Sequence, residues 1–189
     1  GRLERGRGRR GVQEGRGGRS VRGQRRGEGR ISQEMRERLV TIACRRLGRF
    51  ACDPLGDGEL LVGGFEFAKA AFELADQIAA GRLPEPAEIY VPVGSGGTLA
   101  GLVLGARLAG LRARIVGVLV TDILPPGPRR LAAQANATLA LLRRFDASLP
   151  ALRIEPSAFE VTRAQLGAGY GAATPAGDDA AARASRAGL

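Results

Sequence analysis

Residues 88–93 (Glu-Ile-Tyr-Val-Pro-Val) form a short run of β-branched and aromatic side chains that reads as a buried strand. After five intervening residues, Leu99, Leu102, Val103 and Ala106 recur at i, i+3, i+4 and i+7, the spacing of one helix face. Gly110 supplies the stop. Residues 113–121 are again apolar and strand-like. Strand, glycine-rich turn, helix and strand make one βαβ unit, whose two strands should be parallel neighbours with a right-handed crossover. Upstream, residues 65–80 read as a helix with Phe67, Ala71, Leu74 and Ile78 turned to the sheet, ending at Gly81 before Pro84 and Pro86. Downstream, Leu131, Ala135, Leu139 and Leu142 share a helical register. Residues 153–156 and 159–161 are short and strand-like, residues 167–175 a loop, and residues 178–187 an alanine-rich helix.

The remaining segments are less regular. Residues 32–49 predict a helix capped by Ser32, with Met35, Leu39 and Ile42 on its apolar stripe and Arg36, Arg38, Arg45 and Arg46 on the polar side. Its packing is open. Residues 53–58 are turn-rich. The expected organisation is therefore a leader over 1–30, a helix and linker over 31–62, and an α/β unit over 63–189. That unit should be an open three-layer parallel sheet with helices on both faces.

Candidate chemistry concentrates where the first strand meets its helix. Gly94, Ser95, Gly96, Gly97 and Thr98 place several backbone N–H groups at a helix start, where the helix dipole adds partial positive charge. Glycines permit close approach of a ligand, and the Ser95 and Thr98 hydroxyls can donate as well. A phosphate suits such a turn; the alternative is a tight βα turn in which Thr98 merely caps the helix. No lysine follows, so the turn is not a P-loop. A dinucleotide fingerprint would want glycine where Leu99 stands, although Asp122 beyond the second strand resembles a ribose-binding acid.

Three stretches resemble one family. Ala70-Ala71-Phe72-Glu73-Leu74-Ala75-Asp76-Gln77-Ile78 is similar to its "AALELAEQI" helix. Residues 89–102, which hold the glycine turn, are similar to its phosphate loop. Gly169-Tyr170-Gly171, followed by Thr174-Pro175 and Gly177, resembles its "GYGxPTPEG" stretch. The family is the 1-aminocyclopropane-1-carboxylate deaminase and D-cysteine desulfhydrase group, pyridoxal-phosphate enzymes related to the tryptophan synthase β chain. The likeness spans residues 65–189. It implies a tryptophan synthase β-like fold, with pyridoxal 5'-phosphate held at Gly94, Ser95, Gly96, Gly97 and Thr98 and Tyr170 on the substrate side. It also implies a small amino-acid substrate, release of ammonia and a 2-oxo acid, and a homodimer in intact members.

The chain departs from the family in one decisive respect. The lysine that carries the cofactor stands in a "GGNK" motif, and no such motif is present. The one lysine, Lys69, lies within a helix and reads as a surface residue. The "GGSSPLG" element is reduced to Gly63-Gly64. The family's later "TGK" stretch would fall beyond Leu189. The expectation is a partial enzyme that binds phosphate without turnover.

Composition narrows the classes. Histidine is absent, which excludes Ser-His-Asp and Cys-His sites and every histidine-bearing zinc motif. Cys44 and Cys52 form no CxxC pair and read as free thiols of a cytoplasmic protein. No apolar run is long enough for a membrane span. The net charge of +10 resides mostly in residues 1–30, where eleven arginines face three glutamates for +8, leaving +2 for the rest. Residues 1–30 alternate arginine and glycine with little to bury, and disorder is expected there. An RNA-binding arm is one reading of that stretch. A leader read out of frame is the favoured one, because no aromatic is interleaved and the family's catalytic portion should stand there.

Overall fold

The computed structural model describes residues 29–47, 58–123 and 125–188. The arginine-glycine stretch 1–28, the turn-rich stretch 53–57 and Cys52 lie outside them. The order of elements is α1 (Gln33–Leu47), α2 (Gly58–Ala79), β1 (Glu88–Val93), α3 (Gly97–Ala109), β2 (Arg114–Leu119), α4 (Pro128–Phe145), a 3-10 turn (Pro156–Ala158), β3 (Glu160–Thr162) and α5 (Pro175–Arg186). The protein is α/β, with a three-stranded parallel sheet in the order β1-β2-β3.

β1 and β2 pair in register from Glu88 opposite Arg114 to Val93 opposite Leu119, as the βαβ pattern requires. Among the described residues β1 is nevertheless an edge strand rather than a fully buried one. Ile89, Val91 and Val93 turn inward, while Glu88, Tyr90 and Pro92 are exposed. Arg114 N donates to Ala87 O, and Val120 N donates to Val93 O. Odd-numbered residues of β1 therefore bond to β2, and Pro92, which has no N–H, faces the free edge where none is needed.

Helices flank this sheet, and α3 covers the face that carries Val91, Val93, Ile115 and Leu119. α3 packs on β1 and β2, α4 lies beside α3, and α2 lies across both. The opposite face presents Glu88, Tyr90, Arg114 and Glu160, with Val116 buried among them at 3% exposure. Arg114 bonds both carboxylates there, at 2.9 Å to Glu160, and Tyr90 Oη donates to Glu88 at 2.5 Å. Enclosed between sheet and helices, α3 buries almost its whole circumference, including Leu99, Leu104 and Leu108 at 0% exposure.

α2 begins seven residues before the predicted start, taking Gly63 and Gly64 into a helix. It also turns a different face inward. Phe65, Ala68, Ala71, Phe72 and Ala75 are buried, whereas Phe67 is 38% exposed. The reason is its partner, which is α3 and not the sheet. A Cβ on Gly101 would stand 2.2 Å from Gly64 O, and one on Gly105 would stand 2.4 Å from Ala68 O. Backbones this close demand small residues along the seam, and Gly64, Ala68, Gly101 and Gly105 supply them.

α1, whose packing the sequence left open, joins the same core. Ile31 and Leu39 are buried, and Ile31 N donates to Leu108 O at 2.8 Å. Met35 N donates to Ser32 Oγ at 3.2 Å, the expected cap. Arg36 leaves the polar side assigned to it. It is 6% exposed and bonds Asp76 of α2 at 2.5 Å. Arg38 pairs with Asp146, whose other oxygen accepts from Ser148 Oγ at 2.5 Å and Ser148 N at 3.0 Å. These bonds pull the Asp146 carboxyl below its ordinary value, the Ser148 hydroxyl first and Arg38 next. Gly29 and Arg30, expected in the disordered leader, also have a place in the fold: the Arg30 side chain lies against Gly110.

α4 confirms its register, with Leu131, Ala135, Leu139 and Leu142 all buried. Asn136 holds the following segment to α4, donating to Ile154 O and accepting from Ile154 N, both at 2.9 Å. Residues 153–156 form no strand. α5 is capped by Thr174, whose Oγ1 accepts from Gly177 N at 3.1 Å, and it buries none of its residues.

Candidate functional site

The chain leaves β1 at Val93 and turns through Gly94, Ser95 and Gly96 before α3 starts at Gly97. Gly96 adopts φ 96°, a left-handed conformation that strains any side-chain-bearing residue. A Cβ there would also stand 2.5 Å from Leu131 Cδ2 and 3.0 Å from Pro126 Cγ. The turn is thus pressed from one side by the start of α4, and only glycine fits. Around Gly94 a Cβ would meet nothing within 4 Å among the described residues, and this flank of the turn is open to them.

Helix starts leave amides without intrahelical acceptors. Here the first helical bond runs from Ala100 N to Gly96 O at 2.9 Å. The preceding amides, of Gly97, Thr98 and Leu99, have no acceptor among the described residues. No side chain caps the helix. The alternative in which Thr98 is a cap is therefore not what forms: Thr98 lies one residue inside the helix. Ser95 is exposed and Thr98 half-buried, and their hydroxyls have no hydrogen-bond partner among the described residues. Three amides, two hydroxyls and the positive end of the α3 dipole thus occupy one corner at the carboxyl end of β1.

Gln134, which the sequence did not single out, fixes this corner from α4. Its Nε2 donates to Ser95 O at 3.3 Å, and its buried Oε1 has no partner among the described residues. Pro126, buried beside Gly96, is the second residue missed. The helical register of Leu131, Ala135 and Leu139 puts Gln134 beside the apolar stripe, but nothing in the sequence pairs position 134 with position 95.

Tyr170 stands apart from this corner. It is 78% exposed on the segment that follows β3. That segment leaves the sheet at the same carboxyl end as the glycine turn, two strands away. Asp122 is exposed three residues beyond β2, the strand next to β1. Lys69 Nζ bonds Glu66 at 2.6 Å. The neighbouring Ala68 lies against Gly105, eight residues along α3 from its start, so Lys69 is roughly 12 Å from the turn by helical rise. Arg129 and Arg130 are exposed, as expected of them.

A separate groove of about 830 Å³ opens at the opposite, amino end of the sheet, between α3 and residues 150–160. Val103, Ala106 and Ile154 form its floor, and Arg107, Arg114 and Arg153 line it. It shares no residue with the glycine turn. Among the described residues there is no cluster of metal-ligating side chains, and no helix is long and apolar enough to cross a membrane.

In comparisons with known proteins, no family model matches the chain and no curated protein matches it.

Proposed function

We propose that the glycine turn at residues 94–98 is a phosphate site, and that its ligand is the phosphate of pyridoxal 5'-phosphate. One observation carries the reading: among the described residues, three amides at the start of α3 lack acceptors, at a turn that no side chain caps and whose outer flank is open. A phosphate there accepts from Gly97, Thr98 and Leu99 and from the Ser95 and Thr98 hydroxyls, and the α3 dipole offsets its charge. Gln134 and Pro126 hold the turn in place without touching the anion. The cofactor and the family come from the resemblance over residues 65–189, and with them a tryptophan synthase β-like fold.

When bound, pyridoxal phosphate supplies an electron sink for reactions at a substrate's α carbon. The donors suit its phosphate; nothing among the described residues suits its aldehyde. Lys69 is engaged by Glu66 well away from the turn. The proposed activity of this chain is therefore binding without turnover. Lyase or deaminase chemistry on a small amino acid, homodimer formation and a cytoplasmic setting belong to the intact relatives. Tyr170 joins the substrate side only if its segment folds toward the turn.

Equilibrium dialysis against pyridoxal phosphate tests this. The wild-type chain should retain the cofactor. Gly94→Leu, which places a side chain in the open flank, should weaken retention at least tenfold with the circular dichroism unchanged. Equal retention by both proteins would sink the phosphate assignment. A visible absorbance band that Lys69→Ala removes would overturn the assignment of no role to Lys69.

A second reading is kept because Asp122 sits at the carboxyl end of the strand adjoining β1, where dinucleotide-binding folds place a ribose-binding acid. Displacement of pyridoxal phosphate by NAD, lost in Asp122→Ala, would favour it. The RNA-binding arm falls, but for Gly29 and Arg30, on residues outside those described.

A further inference from the structure

The direction of one peptide group decides whether the corner at the start of α3 attracts anions or repels them. In a trans peptide the C=O and the N–H point opposite ways. Ser95 O points toward α4, where it accepts from Gln134 Nε2 at 3.3 Å. The N–H of the same peptide, that of Gly96, therefore points away from α4, to the open side of the turn. It has no acceptor among the described residues.

The backbone of Gly96 records this choice. Its φ of 96° and ψ of −6° are those of the third residue of a type II turn. Flipping the Ser95–Gly96 peptide gives the type I arrangement, with a φ of about −90° at that residue. Glycine adopts either sign of φ about as readily. The choice therefore falls to whatever bonds the peptide from outside. In one orientation the corner gains the Gly96 N–H beside those of Gly97, Thr98 and Leu99. In the other it gains the Ser95 carbonyl oxygen, whose partial negative charge faces any anion held there.

Pro126 and Leu131 press on Gly96 with apolar atoms, which cannot set that direction. Gln134 can, because its amide carries a donor and an acceptor. The donor is spent on Ser95 O. The acceptor, Oε1, is buried 3.2 Å from where a Gly96 Cβ would stand and has no partner among the described residues. The reverse assignment of the amide would set Oε1 against Ser95 O, oxygen facing oxygen. A buried acceptor left unpaired costs stability. A methionine at this position would fill similar space beside Leu131 and Ala135 without that cost. The polar amide is explained by what its donor does for the turn.

We propose that Gln134 is the positioning residue that makes the corner anion-selective: by holding Ser95 O toward α4, it keeps the Gly96 N–H aimed at the ligand. This role rests on the phosphate reading of residues 94–98 and adds to it a residue remote in sequence. Gln134 itself touches no ligand.

Amide NMR and hydrogen exchange on the isotope-labelled full chain, with inorganic phosphate as titrant, test it. In the wild type, Gly96 should shift saturably together with Gly97, Thr98 and Leu99, and in the empty chain its amide should exchange fast. Gln134→Glu keeps the shape but at neutral pH accepts without donating. The Gly96 N–H should turn to that carboxylate, so its exchange should slow while phosphate affinity falls. Gln134→Met removes the donor and the unpaired acceptor together. Phosphate affinity should fall about tenfold, the worth of one hydrogen bond to a charged acceptor, with the thermal midpoint unchanged or raised. A residue that merely props the turn would give the reverse, a lower midpoint and faster Gly96 exchange. That result, or full phosphate affinity in both variants, would overturn the role of Gln134 and leave the phosphate site standing. A wild type without phosphate shifts at Gly97 to Leu99 would remove the site and this role with it. If Gln134→Glu fails to fold, Gln134→Met decides by affinity and midpoint.

Discussion

Asp146 gathers Arg38, Ser148 Oγ and Ser148 N onto one carboxylate, and that convergence sets a pH dependence. Its folded pKa lies below the ordinary carboxylate value. Such a group stabilises the fold above its unfolded pKa and loses that contribution as pH falls through the folded one. Denaturant midpoints should therefore decline as pH drops below about 4. Asp146→Asn should cost roughly 1–2 kcal/mol at neutral pH and flatten that decline. An unchanged acid limb in the variant would assign it to other carboxylates. Gly96 is a second decisive residue. Gly96→Ala combines a left-handed φ with a clash on Leu131 and should cost about 1–3 kcal/mol in urea denaturation. Gly94→Ala, with nothing near its Cβ, should be nearly neutral for stability.

At the scale of elements, the seam between α2 and α3 makes opposite demands on two glycines. Gly63 has nothing within 4 Å of a would-be Cβ, so Gly63→Ala should gain about 0.5–1 kcal/mol from helix propensity alone. Gly101→Ala gains the same propensity but drives a methyl into Gly64 O, and should lose a net 1–3 kcal/mol. Thermal melts of the pair check both signs. α1 depends on Arg36. Asp76→Ala leaves a cation buried without its partner and should cost about 3 kcal/mol, somewhat less if water reaches the partly exposed Asp76 side. Arg36→Met should cost less than Asp76→Ala, since no charge is left behind.

These elements show what sequence patterns reveal and where they stop. Residues 88–93 were placed to the residue because β-branched runs next to glycine turns have few alternatives. α4 was placed face and all, since its partners match one stripe. α2 was found but turned wrongly. Periodicity marks the apolar residues of a helix without distinguishing a sheet from another helix as the partner, and a partner with glycines at 101 and 105 selects Gly64 and Ala68 over Phe67. Arg36 was misplaced because its burial depends on Asp76, forty residues away. The glycine turn was legible in full as a local motif. Gln134 and Pro126 were not, because they reach it only through tertiary packing.

At the scale of the whole molecule, chemistry and open space lie at opposite ends of the sheet. The groove of about 830 Å³ is at the amino end, lined by arginines largely held by glutamates, Arg114 with Glu160 and Arg153 with Glu155. The unpartnered amides are at the carboxyl end, where ligands bind in open α/β sheets. Size favours the groove as a binding site, and directed donors favour the turn. Amide-resolved NMR, with inorganic phosphate and then pyridoxal phosphate titrated into isotope-labelled chain, separates the two. Saturable shifts at Gly97, Thr98 and Leu99 that tighten with pyridoxal phosphate are expected. Shifts confined to residues 150–160, or none at the start of α3, would contradict the phosphate site.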